Sequence, residues 1–280
     1  MKIIHLSDTH VGRDDNGVRF DRLVDDILSL GNPREHVVMH TGDLINRGDE
    51  GMMRAGGNIL ARLSSAGWRV LLCPGNHDCG DAMKVDPTMA RHFRDHFAAY
   101  IYADQAAAFP VLTLIDDCAL IGLDSNEAEL GWPERWFAEG NLGVGQIAKL
   151  SALLDRTEVR DRFVVLYLHH HPFFDAYVVR PDVGDGHYFS HLFGWNTRRF
   201  RRLKDAYSLL QCIRDRVDLL LFGHQHFGLD YSAESQRYGI PRAFDASSST
   251  CTQMHTDRMR YRIVDTQTGL VNTRFVALPG

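Results

Sequence analysis

Five times along this chain a short run rich in valine, leucine and isoleucine stops abruptly on aspartate, histidine or asparagine. The runs fall at 2–6 (KIIHL), 36–41 (HVVMHT), 68–73 (WRVLLC), 163–168 (FVVLYL) and 217–222 (VDLLLF). Segments this short and this uniformly apolar read as buried strands, the pattern of a largely parallel sheet wrapped by helices. Between them, 19–31, 50–66, 89–100 and 145–157 carry apolar residues at helical spacing. Two stretches break the alternation. Residues 111–123 (VLTLIDDCALIGL) predict a hairpin turning at Asp116 and Asp117, and 259–278 predict another turning near Gln267 to Gly269. The expected class is therefore α/β with antiparallel additions, giving mixed sheets.

The polar stops matter more than the strands. The first run leads into Asp8 and His10, the second into Gly42 and Asp43, and the third into Gly75, Asn76, His77 and Asp78. The fourth ends in His169, His170, His171 and Pro172, the fifth in Gly223, His224, Gln225 and His226. In an open α/β sheet, ligands bind in the crevice outside the carboxyl ends of the strands, so parallel strands would gather these termini at one edge. The collected donors are carboxylate, imidazole and one amide oxygen, a set suited to Mn, Fe or Zn and lacking the thiolates of a structural zinc site. So many donors exceed the need of one ion. Two ions sharing a carboxylate would use them, and such a pair clamps the attacking and leaving oxygens of a phosphoryl displacement.

Composition narrows the partners. The chain has 280 residues, 44% hydrophobic and 24% charged, enough for a substantial core. It shows no repeat, low-complexity tract or linker, so residues 1–280 read as one domain. A formal net charge of -5 argues against a surface built mainly to neutralise nucleic-acid phosphates. The basic run at 196–204 (NTRRFRRLK) nevertheless keeps a nucleic-acid partner open. Cys73, Cys79, Cys118, Cys212 and Cys251 are odd in number and scattered, which points to a reducing compartment. The opening MKIIHLSD has no leader-like pattern and no apolar run approaches a membrane span, so a cytoplasmic protein without a membrane partner is expected. The sequence leaves the oligomeric state open, a homo-oligomer included. Residues 172–199 are too long for a passive connection and predict a surface loop or lid, with His187, His191 and Trp195 at the substrate mouth.

The ordered set D-x-H, G-D, G-N-H-D, H-x-P and G-H-x-H, running from Asp8 to His226, resembles the calcineurin-like metallophosphoesterase superfamily. The resemblance implies a four-layer αββα sandwich of two mixed sheets flanked by helices. It implies two divalent or trivalent transition ions, one held by Asp8, His10 and His226, the other by Asn76, His170 and His224, with Asp43 bridging. His170 is selected because the family pattern places the ligand two residues before the proline. His77 would stand near the leaving oxygen as a proton donor, with Asp78 orienting its ring. Within the superfamily, LIGLDSNEAELG at 120–131 and LGVGQIAKLSALLD at 142–155 resemble class III cyclic nucleotide phosphodiesterases and glycerophosphodiesterases. The implied substrate is a small phosphodiester, attacked by a hydroxide on the ions.

Two rivals stand beside that reading. IIHLSDTHVGR at 3–13 is also similar to DNA-repair nucleases of the superfamily, although the length leaves little room for an added DNA-binding domain. A catalytically silent metal-binding scaffold of the same fold is the other, and it would be expected to have eroded ligands. FDASSST at 244–250 is expected to pack beneath the metal site without chemistry of its own.

Overall fold

The computed structural model describes residues 1–81, 85–102, 108–126, 139–173, 203–250 and 258–279. Five strands, β1 (Lys2–Leu6), β2 (His36–His40), β3 (Arg69–Leu72), β9 (Arg258–Asp265) and β10 (Val271–Ala277), form one sheet in the order β10-β9-β1-β2-β3. The other sheet runs β4-β5-β6-β7-β8, from β4 (Val111–Ile115), β5 (Cys118–Gly122), β6 (Phe163–Tyr167), β7 (Leu219–Phe222) and β8 (Arg242–Asp245). In the first, β1, β2 and β3 are parallel while β9 and β10 are antiparallel additions. In the second, β5 through β8 are parallel and β4 pairs antiparallel with β5. Both predicted hairpins are present. Strand β8 lies outside the runs read as strands, because its four residues include Arg242 and Asp245.

The apolarity of the parallel strands has a direct cause: β1, β2, β3, β5, β6 and β7 are buried on both faces over most of their length, whereas β10 is largely exposed. Ile3, Val37, Met39, Leu71, Leu120, Val165, Tyr167, Leu219 and Leu221 pack between the sheets. Their neighbours Ile4, Val38, Val70 and Leu72 pack outward under α1 (Asn16–Ser29) and α2 (Glu50–Ser65). Ile121, Val164, Leu166 and Leu220 do the same on the other side, under α5 (Gly143–Leu154) and α7 (Ala206–Cys212). Since side chains alternate between faces at every residue, a strand covered twice has no polar position to spare. The result is helix, sheet, sheet, helix, the architecture expected.

Helix starts follow their local chemistry. The Asp49 carboxylate accepts from the Met52 N–H at 3.0 Å at the head of α2. Asp86 accepts from Thr88 and Met89 N–H ahead of α3 (Pro87–His96), where Pro87 fits the first turn. The predicted helix 89–100 divides at Phe97 into α3 and α4 (Ala98–Ile101). The expected lid at 172–199, with His187, His191 and Trp195, lies outside the described residues from 174 onward, as do 196–202 of the basic run and Cys251. Among the described residues no helix is long and apolar enough to cross a membrane.

One polar cluster ties the helical layer to the antiparallel additions. On α1, Asp26 accepts from Tyr261 Oη of β9 at 2.7 Å and from Arg274 Nε and Nη2 of β10 at 2.6 and 3.0 Å. Burial raises the Asp26 pKa, but the bonds from Arg274 and Tyr261 and the nearby positive charge outweigh it, leaving the carboxyl below its ordinary range. Asp26→Ala should cost about 1–2 kcal/mol, between an exposed ion pair and a desolvated charge-assisted bond. Because the folded pKa is depressed, that contribution is complete above the unfolded carboxyl pKa of about 3.9 and is lost as pH falls through the lower folded value. Urea unfolding of both proteins should show the difference at about pH 7 and its progressive loss as the carboxyl protonates in acid; a constant difference would contradict this assignment.

Candidate metal centre

The donors sit where the carboxyl ends of both sheets meet. Ladder bonding continues past β1 and β2, with Thr41 N–H donating to Leu6 O at 2.9 Å, Asp8 N–H to Gly42 O at 2.9 Å and His10 N–H to Asp43 O at 3.0 Å. On the other sheet Gly223 N–H donates to His169 O at 3.0 Å. The sheets are joined across the centre by the His224 N–H, which donates to Asp8 Oδ2 at 3.0 Å. The strand pattern alone implies a single sheet edge; instead the edges of two sheets supply the crevice.

Asp8, His10, Asp43, His224 and His226 all have positive φ, from 46° to 72°. Aspartate and histidine tolerate this region better than most residues, yet each instance costs roughly 1–3 kcal/mol and persists only where the surroundings enforce it. Ser248 Oγ donates to Asp8 O at 2.8 Å, Thr250 Oγ1 to Thr9 O at 3.0 Å and Ser247 Oγ to His226 O at 3.1 Å. Beneath them the buried Asp245 accepts from Ser247 N–H at 2.8 Å and Phe227 N–H at 3.1 Å. The 244–250 stretch thus braces the loops from below, as expected. Their individual roles were not legible, although a string of hydroxyl residues directly after a buried strand was the available signal.

Two groups of donor atoms result. In one, His226 Nε2 lies 2.8 Å from Asp8 Oδ1 and 3.3 Å from His10 Nε2. In the other, His169 Nε2 lies 3.0 Å from Asn76 Oδ1, 3.2 Å from His224 Nδ1 and 3.3 Å from Asp43 Oδ2. Asp43 Oδ2 is also 3.9 Å from His10 Nε2 and 3.9 Å from His77 Nε2. Asp8 and Asp43 are 0% and 2% exposed. Among the described residues only histidines form ion pairs with them, and no lysine or arginine does. Buried carboxylates need a cation or a metal, and oxygen with imidazole nitrogen is a donor set for borderline transition ions. The residues fit a metal.

The local electrostatics agree with ionised carboxylates. Burial raises the Asp8 pKa, but His226, through its charge and hydrogen bond, and His169 bring it to about 2. Burial also raises Asp43, and His169, His77 and His10 outweigh it, leaving that carboxyl well below its ordinary range. Burial lowers His169, whereas Asp43 and Asp8 raise it to about 9. For His10, burial and the neighbouring His77 dominate and push the ring well below its usual range.

Two expected residues fall elsewhere. His170 does not enter either donor group: its Nδ1 meets Ser125 Oγ at 2.7 Å, while His169 takes the place assigned to it. The cause is strand alternation. Val165 and Tyr167 face the other sheet, so His169 continues that inward face, whereas Leu166 and Leu168 face the helices. His171 joins neither donor group and packs on Phe173, Phe222 and Tyr231 of the helix-side core. Asp78 does not orient the His77 ring. Its carboxylate accepts from Ile45 N–H at 3.0 Å and Gly75 N–H at 2.9 Å, fastening the third loop to the second, while His77 Nδ1 meets Asn46 O at 2.7 Å.

The glycines of the loops are explained by crowding. A Cβ on Gly75 would strike Asp43 Oδ1 and N, and one on Gly223 would strike Ser7 Oγ and Asp8 Oδ2. Gly223→Ala should therefore displace Asp8 and weaken Mn²⁺ binding by about tenfold or more, the scale of losing a ligand's support. Gly145→Ala, in α5 with nothing within 4 Å of the added carbon, is the control that should bind as the parent does. Equilibrium dialysis on both proteins checks this, and equal Mn²⁺ affinity in the two would contradict it.

The model for calcineurin-like phosphoesterases (Metallophos) matches residues 1–228. Among solved structures, the sulfate thiohydrolase SoxB of Thermus thermophilus, in complex with glycerol, is similar with a TM-score of 0.51 at 12% identity, over 99% of this chain and 56% of its own. NAD nucleotidase of Haemophilus influenzae has a TM-score of 0.48 at 10% identity, over 100% of this chain and 54% of its own. The 5'-nucleotidase of Candida albicans has a TM-score of 0.49 at 10% identity, over 99% and 51%. This chain thus spans about half the length of those three proteins. No curated protein sequence matches it. The matched span runs from the first strand through the G-H-x-H loop and takes in every donor described above, so the chain belongs to the calcineurin-like phosphoesterase family.

Proposed function

We propose that this protein is a two-metal phosphoesterase acting on phosphodiesters, either a cyclic nucleotide or a small glycerophosphodiester. The observation that carries the reading is the place of Asp43 Oδ2, 3.9 Å from His10 Nε2 and 3.3 Å from His169 Nε2, so that one carboxylate oxygen belongs to both donor groups. One site would use Asp8, His10 and His226, the other Asn76, His169 and His224, with Asp43 common to both. Mn, Fe or Zn ions held there supply an activated water and positive charge beside the phosphoryl group.

The chain's own residues hold and complete that arrangement. Asp43 Oδ1 accepts from His77 N–H at 2.9 Å, which fixes the carboxylate with Oδ2 toward the donors. Donation from His77 Nδ1–H to Asn46 O leaves Nε2 directed at the centre. The His77 side chain is 22% exposed, against 2% for Asp43, so it is open to substrate where the bridging carboxylate is not. Protonated at Nε2, it is placed to give a proton to the departing alkoxide.

The diester assignment is supported by the resemblance at 120–131 and 142–155, whose described parts are laced together. Gln146 Oε1 accepts from Asp124 N–H at 2.9 Å, and Gln146 Nε2 donates to Asp124 O at 2.9 Å. Ser125 beside them meets His170, the neighbour of His169. These contacts set Asp124, Ser125 and Gln146 beside the donor loops, which supports the reading.

His77→Ala should keep its metal content and lose about 10²- to 10⁴-fold in turnover, the usual worth of a positioned proton donor. Asp43→Ala and His169→Ala should lose metal, read by elemental analysis, while His170→Ala keeps most of it. An unaltered rate in His77→Ala would remove that residue from the chemistry. The substrate class is tested by a metal-reconstituted panel of cyclic nucleotides, glycerophosphodiesters, phosphomonoesters and single-stranded DNA. Preferential cleavage of DNA would favour the nuclease reading, preferential turnover of monoesters would end the diester assignment, and no turnover with any ion would favour a scaffold.

A further inference from the structure

Among the buried histidines outside the donor groups, His5 on β1 and His40 on β2 lie beside the loops that carry them. His5 Nε2 lies 3.0 Å from Thr41 Oγ1, and His40 Nε2 lies 3.0 Å from Thr9 Oγ1. Thr9 Oγ1 donates its hydrogen to Leu44 O at 3.0 Å, and Thr41 Oγ1 donates to Leu6 O at 3.3 Å. With its one hydrogen committed, each hydroxyl can only accept from the ring, so the donors are Nε2–H of His5 and His40. That choice of tautomer leaves Nδ1 of both rings as a buried acceptor without a partner.

The two straps cross. The histidine on β1 holds the threonine that follows β2, and the histidine on β2 holds the threonine that follows β1. Thr9 is the residue between Asp8 and His10, both at positive φ, and Thr41 precedes Gly42 and Asp43. The Thr41 carbonyl in turn accepts from His169 Nδ1–H at 2.8 Å and from Ser7 Oγ at 3.1 Å. An imidazole donating through its other nitrogen is the usual means of orienting a metal-facing histidine. A phenylalanine or leucine at either position would fill the volume without stranding a buried nitrogen, so stability alone does not call for histidine at 5 and 40.

We propose that His5 and His40 are positioning residues of the metal centre, acting through Thr41 on Asp43 and His169 and through Thr9 on Asp8 and His10. The inference rests on the metal-centre reading above. Its test uses the full chain with His40→Phe, Thr9→Val, their double variant and His40→Gln, together with His5→Phe and Thr41→Val. Mn²⁺ affinity by equilibrium dialysis and the urea midpoint are measured on each. Each strap-breaking single variant should weaken Mn²⁺ binding by about 10- to 100-fold, the scale for outer partners of a metal ligand. The double should be no weaker than the weaker single, since one bond is lost either way. His40→Gln, which keeps an N–H donor, should recover most of the affinity. Unchanged Mn²⁺ affinity with only a lowered urea midpoint would overturn the inference, as would losses that multiply in the double. If His40→Phe does not fold, the nearly isosteric Thr9→Val decides alone by the same criterion. A parent protein that takes up no Mn²⁺ overturns the metal-centre reading and this inference together, whereas normal uptake by parent and variants alike overturns only the latter.

Discussion

Two ionised carboxylates with almost no solvent exposure, Asp8 and Asp43, are the constraint to which the rest of the structure answers. Removing such charges from water is tolerated only with opposite charge or a metal close by. The loops supply it by converging imidazoles from both sheets, and the convergence forces the backbone into left-handed turns that ordinary strand ends avoid. The serines and threonine at 247–250, the Asp245 carboxylate and the Asp78 carboxylate then serve one purpose, which is to hold those turns against relaxation. Chemistry at the rim and packing beneath it are therefore one problem solved twice.

Most of the fold was legible because double burial leaves its mark on the parallel strands at its centre. β2, β6 and β7 have no solvent face, so their apolar runs stand out without periodicity to aid them. That the strands divide between two sheets was not visible in the runs themselves and came only through resemblance, since a parallel strand looks alike in one sheet or two. β8 escaped because its ends are charged: Arg242 bonds to Gly269 O and Asp245 turns beneath the G-H-x-H loop.

The site was legible to the level of loops and not always to the level of residues. Asp8, His10, Asp43, Asn76, His224 and His226 converge because each lies within the first few residues after a parallel strand. In the triple histidine, three identical side chains stand side by side, and counting back from Pro172 picks His170, whose Nδ1 meets Ser125 Oγ outside the donor groups. Counting forward from Tyr167 by strand parity picks His169. Asp78 misled for a different reason: an aspartate beside a histidine suggests a charge partner, while the same carboxylate is equally suited to two backbone N–H groups, and the position of Ile45 and Gly75 settled which.

The bond between Asp8 and His226 joins residues 218 apart in the chain and belongs to opposite sheets. An ion gripping both would act as a staple between halves that also meet through an apolar layer and hydrogen bonds such as that from His224 N–H to Asp8. Closing so long a loop costs entropy only once, and whatever free energy the ion releases on binding is added to that of assembly. Filling the centre and locking the sandwich shut would then be the same thermodynamic event.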